Sequence, residues 1–211
     1  MQTFNLNGLT YTIKKRKQRT ASIRISPTNV ITVSTPKFFS DKDIRLLIEE
    51  KEPWIKKHVE SNTLRLEENP PKQFVKGEAF KYLGDDYALK LITNNKKSIT
   101  LSQSELIVKL PENKVSNNSE LAAEIEAWYR EMAKDIITDR VEIFSKKMNC
   151  SPGMVRIKSQ KNLWGSCSSK QNLNFNWKLI KAPLPILDYV VIHELAHLTH
   201  FNHSKAFWLL V

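Results

Sequence analysis

The stretch ILDYVVIHELAHLTHFNHS, residues 186–204, joins an apolar run to four of the five histidines in the chain. Its first half is apolar nearly all round, which predicts a deeply buried helix, and Pro185 fits the first turn of that helix. Residues four apart lie on one helical face, so we expect His193 and His197 to point the same way. The stretch therefore predicts a buried helix that presents two imidazoles side by side.

The pattern H-E-x-x-H at residues 193–197 is typical of a zinc site with an adjacent base. Two imidazoles can share one cation, and Glu194 would serve as base for the water that zinc activates, without ligating the metal. Two histidines four apart on a polar helix face usually have no function, but this helix is apolar. Burying His193, Glu194 and His197 without a metal or hydrogen-bond partners would be costly. We therefore interpret the pattern as a metal site.

Two histidines are candidates for a third ligand. A straight helix would place His200 about 10 Å along the axis from His193, which is too far for one ion to bridge easily. His203 requires the chain to turn after about His200, and Asn202 tolerates the left-handed conformation that ends helices. We favour His203 as the third ligand and expect His200 to support the site from outside the coordination sphere or to lie on the surface.

The composition is that of a globular chain. With 211 residues and 41% hydrophobic content, it can form one domain or two small ones with a packed core. Its longest apolar run is too short to span a bilayer, and MQTFNLNGLTYTIKK has no apolar signal-peptide core. We therefore expect a cytoplasmic protein with no membrane partner. Cys150 and Cys167 are expected to be free, mostly buried thiols.

The net charge of +11, from 33 Lys and Arg against 22 Asp and Glu, is concentrated in two tracts. Residues 14–24 carry six basic residues and residues 143–187 carry eight, and neither tract contains an acidic residue. Such tracts serve solubility, or they form a basic face for a polyanion, of which nucleic acid is the most common. The sequence alone leaves both interpretations open.

The first third of the chain is expected to form strands followed by one helix. The segments YTIKK, ASIRIS and VITVST are β-branched and partly alternating. Ser40 can cap a helix near residues 41–61, and Pro53 is expected to kink or restart it. The segment EENPPK at 67–72 is a predicted loop.

Further strands follow, in QFVKGEAFKYLG, DYALKLIT, SITLS and ELIVKLP. The polar segment 112–120 is the preferred domain boundary, and Ser119 can cap a long amphipathic helix from about 120 to 148. We therefore expect a β-rich N-terminal domain with one helix at 1–115 and a second domain at 116–211. No internal repeat is visible.

The segment NLNFNWKLI, residues 172–180, alternates cleanly between apolar and polar side chains. One face carries the apolar residues Leu173, Phe175, Trp177 and Leu179, and the other carries Asn172, Asn174, Asn176 and Lys178. This period of two predicts a half-buried strand with its asparagines toward solvent.

Several motifs together resemble the YgjP-like (SprT-like) zinc metallopeptidases. They are WGSCS at 164–168, NFNWKLIKAP at 174–183, LDYVVIHELAHLTHFNHSKAFWLLV at 187–211, RTASIRIS at 19–26 and EKEPWIKKH at 50–58. The resemblance covers most of the chain and implies an α+β fold, in which a β-rich N-terminal region precedes a zincin-like metallopeptidase domain. By the family pattern, zinc (Zn²⁺) is the cofactor, His193, His197 and His203 are its ligands, and Glu194 is the catalytic base.

The sequence departs from the family pattern at two places. Members often carry Arg just before WGSC, where this chain has Leu163, so no role of that Arg is transferred. Members usually continue well past FWLLV, whereas this sequence stops at Val211, so we expect either a truncated chain or one that lacks the last helix. We also expect Trp164 and Cys167 to be packing residues rather than to line a cleft.

Two further expectations concern residues beside the motif. Phe207 and Trp208 are expected in the core. Asp188 would either cap the helix or orient a ligand histidine, and the sequence does not choose between these roles.

The leading interpretation is a zinc-dependent metallopeptidase that hydrolyses peptide bonds with Glu194 as general base. The basic tracts suggest DNA as a partner and DNA-associated proteins as substrates, since some SprT-like relatives act there. The main alternative is a nucleic-acid-binding module with a structural or vestigial zinc site, although such a site has no need of Glu194. A zinc hydrolase for a non-peptide amide shares the same chemistry and remains a third interpretation.

Overall fold

The structure, a computed structural model, describes residues 2–68 and 70–211. It is a mixed α+β protein with a β-rich N-terminal half, as expected from the sequence. The chain forms two compact units, Met1–Lys72 and Gln73–Val211. None of the helices formed by the described residues is both long and apolar enough to cross a membrane.

The first unit is a four-stranded sheet covered by one helix. Its strands are β1 (Gln2–Leu6), β2 (Leu9–Arg16), β3 (Ser22–Ile25) and β4 (Ile31–Pro36), in the order β1-β2-β4-β3. Strand β2 runs parallel to β4, and the outer pairs β1-β2 and β3-β4 are antiparallel. Alternate residues of β2 and β4, among them Tyr11, Ile13 and Val33, face the helix and are buried, which is the period of two that the sequence predicted.

Helix α1 (Asp41–Glu68) covers this sheet. As expected, Ser40 caps it: the Ser40 hydroxyl accepts from the Asp43 N–H, while the Asp43 carboxylate accepts from the Ser40 N–H. The helix buries Ile44, Ile48 and Ile55 against the sheet. It contains Pro53 without interruption and extends beyond the expected end at residue 61, so the predicted restart at Pro53 is wrong.

The second unit begins with a sheet of the same topology. Its strands are β5 (Ala79–Tyr82), β6 (Asp85–Thr93), β7 (Ser98–Ser102) and β8 (Glu105–Leu110), in the order β5-β6-β8-β7. The inner pair is again parallel and the outer pairs are antiparallel. A long helix follows in both cases. The chain therefore repeats one supersecondary pattern, a four-stranded sheet followed by a long helix. No repeat was visible in the sequence, because the same topology can form from different residues.

The long helix of the second unit is α3 (Asn118–Lys147), which follows the short helix α2 (Glu112–Val115). The cap is Asn117 rather than Ser119, and its side chain accepts from the N–H groups of Ser119 and Glu120. Apolar residues of α3, including Leu121, Ile125 and Ile137, lie in one core with the sheet β5–β8 and with the C-terminal elements.

The boundary expected at 115/116 lies inside this second unit. The Tyr129 hydroxyl on α3 donates to the Lys81 carbonyl of β5 at 2.8 Å. The Leu83 N–H donates to the Ile180 carbonyl at 2.7 Å, which ties the β5–β6 turn to the C-terminal part. The sheet β5–β8 thus shares its buried surface with the residues that follow α3, and the structure places the boundary near residue 72.

A three-stranded sheet leads to the site. Its strands are β9 (Val155–Lys158), β10 (Gly165–Cys167) and β11 (Leu173–Asn176), in the order β10-β11-β9. The strand predicted over 172–180 is wrong in its second half, where Trp177–Lys181 forms a 3-10 helix. Asn176 causes the change, because its buried side chain accepts from the Lys178 N–H and donates to the carbonyls of Gln160 and Leu163.

Candidate metal centre

His193 projects from helix α4 (Leu184–Ala196), which Pro183 precedes, and His197 is the C-cap residue of this helix. Leu187, Val191 and Leu195 anchor one side of this helix in the core. The opposite side is open, since Ile186 is 52% and Tyr189 46% exposed. The prediction that this helix is buried all round is therefore wrong, and its apolar composition leaves hydrophobic side chains on the surface.

Three imidazoles converge at the end of α4. The ligand atoms of His193, His197 and His203 lie within 4.8 Å of one another. Nε2 of His203 lies 3.1 Å from Nε2 of His193. The first two residues come from consecutive turns of the helix, as the spacing predicted, and the third comes from the loop that follows.

This donor set suits a zinc ion. Zinc–nitrogen bonds of about 2.0–2.1 Å in a tetrahedral site place ligand nitrogens about 3.3 Å apart, close to the separation of His193 and His203. Nδ1 of His197 is engaged with the carbonyl of His200 at 3.0 Å, which leaves Nε2 for a metal. Three imidazoles also match the ligand preference of zinc, and a fourth position would remain for water and substrate.

The chain leaves the helix earlier than the sequence suggested. Helix α4 ends at Ala196, not near His200, and the His200 N–H donates to the Ala196 carbonyl in the turn that follows. The chain does turn before His203, as expected, but Asn202 is not in the left-handed region that the sequence suggested for this turn. The contact that stabilises this turn is local, because the carbonyl of His200 contacts Nδ1 of His197. His200 thus supports the site through its backbone, while His203 returns to the other two rings.

Helix α5 (Lys205–Leu210) places an aromatic ring against all three histidines. Its cap is Ser204, whose hydroxyl accepts from the Phe207 N–H. The Phe207 ring is fully buried, and its centroid lies 4.9, 4.6 and 4.7 Å from those of His193, His197 and His203. Nδ1 of His193 has no hydrogen-bond partner among the described residues. Ring packing therefore contributes strongly to the orientation of His193.

Trp208, from the same short helix, also packs against the triad. Its ring stacks on His203 with centroids 5.6 Å apart, yet it is 51% exposed. The expectation of a core position is thus confirmed for Phe207 and wrong for Trp208, because a helix this short buries a single face.

The carboxyl group of Glu194 points away from solvent and toward strand β10. Glu194 is 6% exposed, and a Cβ atom on Gly165 would lie 2.6 Å from its Cγ and Oε1. The backbone N–H of Cys167 donates to this carboxylate. The motif WGSC therefore supplies both the space for the Glu194 side chain and a hydrogen-bond donor for it.

Burial sets the protonation of the site. It raises the pKa of Glu194 to about 7, against the opposing effect of the Cys167 N–H. Burial, followed by the charges of His197 and His203, lowers the pKa of His193. A neutral His193 can ligate a metal, and a carboxyl group that titrates near neutral pH can both accept and release a proton.

Two neighbouring residues differ from expectation. Trp164, expected to pack in the sheet, is 55% exposed and stands beside the strand that holds Glu194. Asp188 neither caps the helix nor contacts a histidine, because both of its oxygens accept from Arg140 of α3 at 2.6 Å. This bidentate ion pair joins α4 to α3.

The thiol of Cys167 is not activated. Burial, followed by the charge of Glu194, raises its pKa, so it remains protonated at neutral pH. This agrees with the sequence-based view that Cys167 is not a nucleophile, and its backbone is the part that contacts the site.

Sequence reasoning missed the contributions of Gly165 and Phe207. The motif WGSC and the sequence FW after the last histidine were both noted, but their contacts join residues distant along the chain. A glycine within a strand is a signal for close approach of another group, and Gly165 could have suggested the contact with Glu194.

Comparison with known proteins gives one extensive match. A family model described as "YgjP-like, metallopeptidase domain" matches residues 19–211. Among solved structures, the metallopeptidase zymogen jannalysin of Methanocaldococcus jannaschii is 26% identical over 35% of this chain and 76% of its own, with a TM-score of 0.33. The zymogen abylysin of Pyrococcus abyssi is 24% identical over 35% and 74%, also at 0.33. At these TM-scores neither likeness bears on the fold. No curated protein matches.

Proposed function

Because the chain belongs to the YgjP-like metallopeptidase family, we propose that it is a zinc peptidase in which His193, His197 and His203 hold the metal. In this proposal Glu194 is the general base. The observation that carries it is the convergence of three imidazoles next to a buried carboxyl group whose pKa lies near neutrality. A purely structural metal site gains nothing from burying an ionisable group beside it.

Zinc bound at this site would act as a Lewis acid that lowers the pKa of a water molecule and polarises a peptide carbonyl. Glu194 would accept the proton of the attacking water and later deliver it to the amine that leaves. The Cys167 N–H would hold the carboxylate in one orientation during both transfers. Phe207 would exclude water from the inner side of the three imidazoles, where it is fully buried.

The substrate would bind as an extended segment along β10. This strand is an edge of its sheet, since the order is β10-β11-β9. Edge strands bind extended peptides through main-chain hydrogen bonds. The exposed side chains of Leu163 and Trp164 precede β10, and they would contact apolar groups of the substrate. Peptides bound here would lie next to Glu194, because β10 includes Gly165 and Cys167.

DNA-associated proteins are the substrate class that the charge favours. Four lysines of the acid-free tract 143–187 are exposed, Lys158, Lys161, Lys170 and Lys178. They lie on or beside the three-stranded sheet β9–β11, whose strand β10 contacts Glu194 through Gly165 and Cys167. Contacts of such lysines with phosphates do not depend on sequence and weaken with salt. DNA binding through this face would bring the peptidase close to proteins bound on the same duplex.

Two other functions use the same residues differently. A nucleic-acid-binding module with a structural zinc would need the lysines and the histidines but not Glu194. A hydrolase for a non-peptide amide would need the histidines and Glu194 but no extended peptide edge. Neither has an observation in its favour that the peptidase lacks.

The decisive comparison is between the wild-type protein and Glu194→Gln. Both are incubated with a proteome-derived peptide library and with zinc, and new amino termini are identified by mass spectrometry. We expect the variant to keep one zinc per chain and to lose turnover by about 10²–10⁴-fold, the usual contribution of a general base. Loss of zinc from the variant, or turnover equal to that of the wild type, would contradict the role assigned to Glu194.

The same library distinguishes the alternatives. Cleaved peptides that disappear with Glu194→Gln support a peptidase. A wild-type protein that binds zinc and DNA but releases no new amino termini would favour the binding module.

A further inference from the structure

Strand β3 (Ser22–Ile25) is one of the two edge strands of the sheet in the first unit, the other being β1. In its antiparallel pair with β4, the Ser26 N–H at the turn donates to the Val30 carbonyl at 2.9 Å. Hydrogen-bonded positions alternate along an antiparallel pair. The backbone N–H and C=O of Arg24 therefore also face β4, whereas the backbone N–H and C=O groups of Ile23 and Ile25 face outward, away from the sheet. The edge therefore offers unpaired donors and acceptors to an additional strand.

The helix side of this edge contains an apolar cavity of about 410 Å³. Strand β3 contributes Ile23 to its lining, and α1 contributes Leu47, Lys51 and Trp54. The Trp54 side chain is 43% exposed there. A large aromatic ring that faces an open cavity beside an unpaired edge is suited to receive an apolar side chain from a bound segment.

The opposite side of the same edge is cationic. A cavity of about 200 Å³ is lined by the basic side chains of Lys14, Arg16 and Arg24 and by the hydroxyls of Ser22, Thr32 and Ser34. Within the described residues, these three basic side chains make no hydrogen bond or ion pair. Residues 1–40, which include the whole sheet, contain seven Lys and Arg and no acidic residue. Anionic groups are therefore attracted to this side.

We propose that the edge of β3 binds an extended peptide segment in which apolar and acidic side chains alternate. Directly opposite residues of paired strands project to the same face, so the residue opposite Ile23 would enter the apolar cavity. Its two neighbours would project to the other face, toward Arg24 and Arg16. The ligand would alternate because one face of the sheet edge offers an apolar cavity and the other offers basic side chains.

This docking site goes beyond the proposed peptidase activity, since all of its residues lie in the first unit and none belongs to the metal centre. A nucleic acid could use the basic side chains, but it would leave the backbone groups of Ile23 and the cavity beside Trp54 without their best partners. The combination of an unpaired edge, an apolar cavity and free cations favours a peptide.

The test uses the full chain with Glu194→Gln, so that a bound peptide is not hydrolysed. The probe is a fluorescein-labelled peptide of sequence Glu-Ile-Glu-Val-Glu-Leu-Glu, measured by fluorescence polarisation at about 0.15 M salt. The control peptide has the same composition with its four Glu and three apolar residues in separate blocks. We expect the alternating peptide to bind at least about tenfold more tightly, which corresponds to about 1.4 kcal/mol.

Backbone N-methylation tests the strand pairing without altering the protein. For an antiparallel partner, the N–H groups of the apolar residues face β3, whereas those of the acidic residues face away. Methylating the first set should weaken binding at least about tenfold, and methylating the second should not. Equal tolerance of both would overturn the proposed pairing.

Protein variants locate the site. Arg24→Glu and Trp54→Ala should each weaken binding of the alternating peptide about tenfold or more, whereas Arg65→Glu should not. Arg65 is the matched control, because it is an exposed cation at the far end of α1. Equal losses from Arg24→Glu and Arg65→Glu would show that only net charge matters, and would overturn the proposal. The proposal would also fail if a single-stranded oligonucleotide bound through Arg24 and Trp54 while the peptide did not bind.

Discussion

The main chain of Gly165 lies so close to Glu194 that a methyl group on residue 165 would come within 2.6 Å of the carboxylate oxygen Oε1. The nearest atoms belong to a side chain that is itself 6% exposed, so Glu194 has little room to move aside. A glycine in β10 and a glutamate in α4 thus determine together where the carboxyl group lies.

Gly165→Ala should reduce peptidase turnover by about ten- to a hundredfold with zinc content unchanged. The added methyl displaces the carboxyl group of Glu194, and small misplacements of a catalytic group are costly, while the three histidines keep their positions. Turnover of a fluorogenic peptide and metal analysis measure the two effects. Ser166→Ala is the control on the same strand and should retain most activity. Equal loss in both variants would mean that the strand, rather than the contact with Glu194, was disturbed.

His203→Ala should abolish stoichiometric zinc binding, and His200→Ala should preserve it. His203 contributes its ring to the triad, whereas His200 contributes its backbone carbonyl, which an alanine also has. Zinc content after dialysis against a weak chelator distinguishes the two variants. The reverse pattern would assign the third ligand to His200.

Phe207→Leu should weaken zinc affinity by about ten- to a hundredfold, similar to the loss of other groups that orient metal ligands. Its ring packs on all three imidazoles, and leucine fills most of the volume without fixing their planes. Competition with a chromogenic chelator measures the affinity. Leu209→Ala, at a position that is 79% exposed on the same helix, is the control. Unchanged affinity in Phe207→Leu would assign the ring to packing alone.

Asn176→Ala should lower the free energy of unfolding by about 1–3 kcal/mol, because it leaves buried backbone groups unpaired. The groups concerned are the carbonyls of Gln160 and Leu163 and the N–H of Lys178. Urea denaturation followed by circular dichroism gives the difference. Asn174→Ala, on the same strand but with a weaker 3.3 Å contact to Ser166, should cost less. An equal cost would contradict the special position of Asn176.

DNA affinity at low salt should fall when four exposed lysines beside the small sheet are replaced by alanine. They are Lys158, Lys161, Lys170 and Lys178. The slope of log affinity against log salt should fall by about 0.9 for each lost phosphate contact on duplex DNA. A matched variant changes four exposed lysines elsewhere, Lys42, Lys57, Lys76 and Lys96. The same loss in both variants, or no binding in the wild type at low salt, would contradict this DNA interface.

Local patterns predicted much of the fold. Alternation located most strands of the first unit, and the capping residue Ser40 marked the start of α1, because both signals depend on residues a few positions apart. Alternation failed for residues 177–181, because Asn176 donates a hydrogen bond to a loop sixteen residues earlier in the chain. The expectation that Trp164 and Trp208 are buried also failed, since hydrophobic composition does not tell which face of a short element remains exposed.

The sequence by itself determined that His193 and His197 share one helical face and that Glu194 follows the first of them, because helical periodicity is a local property. It determined the family as well, through motifs spread over most of the chain. Only the tertiary structure decided that His203 returns to the pair, that Phe207 packs beneath all three rings, and that Gly165 makes room for the carboxyl group. These contacts join separate elements, and the packing of a shared core, rather than any spacing along the chain, brings those elements together.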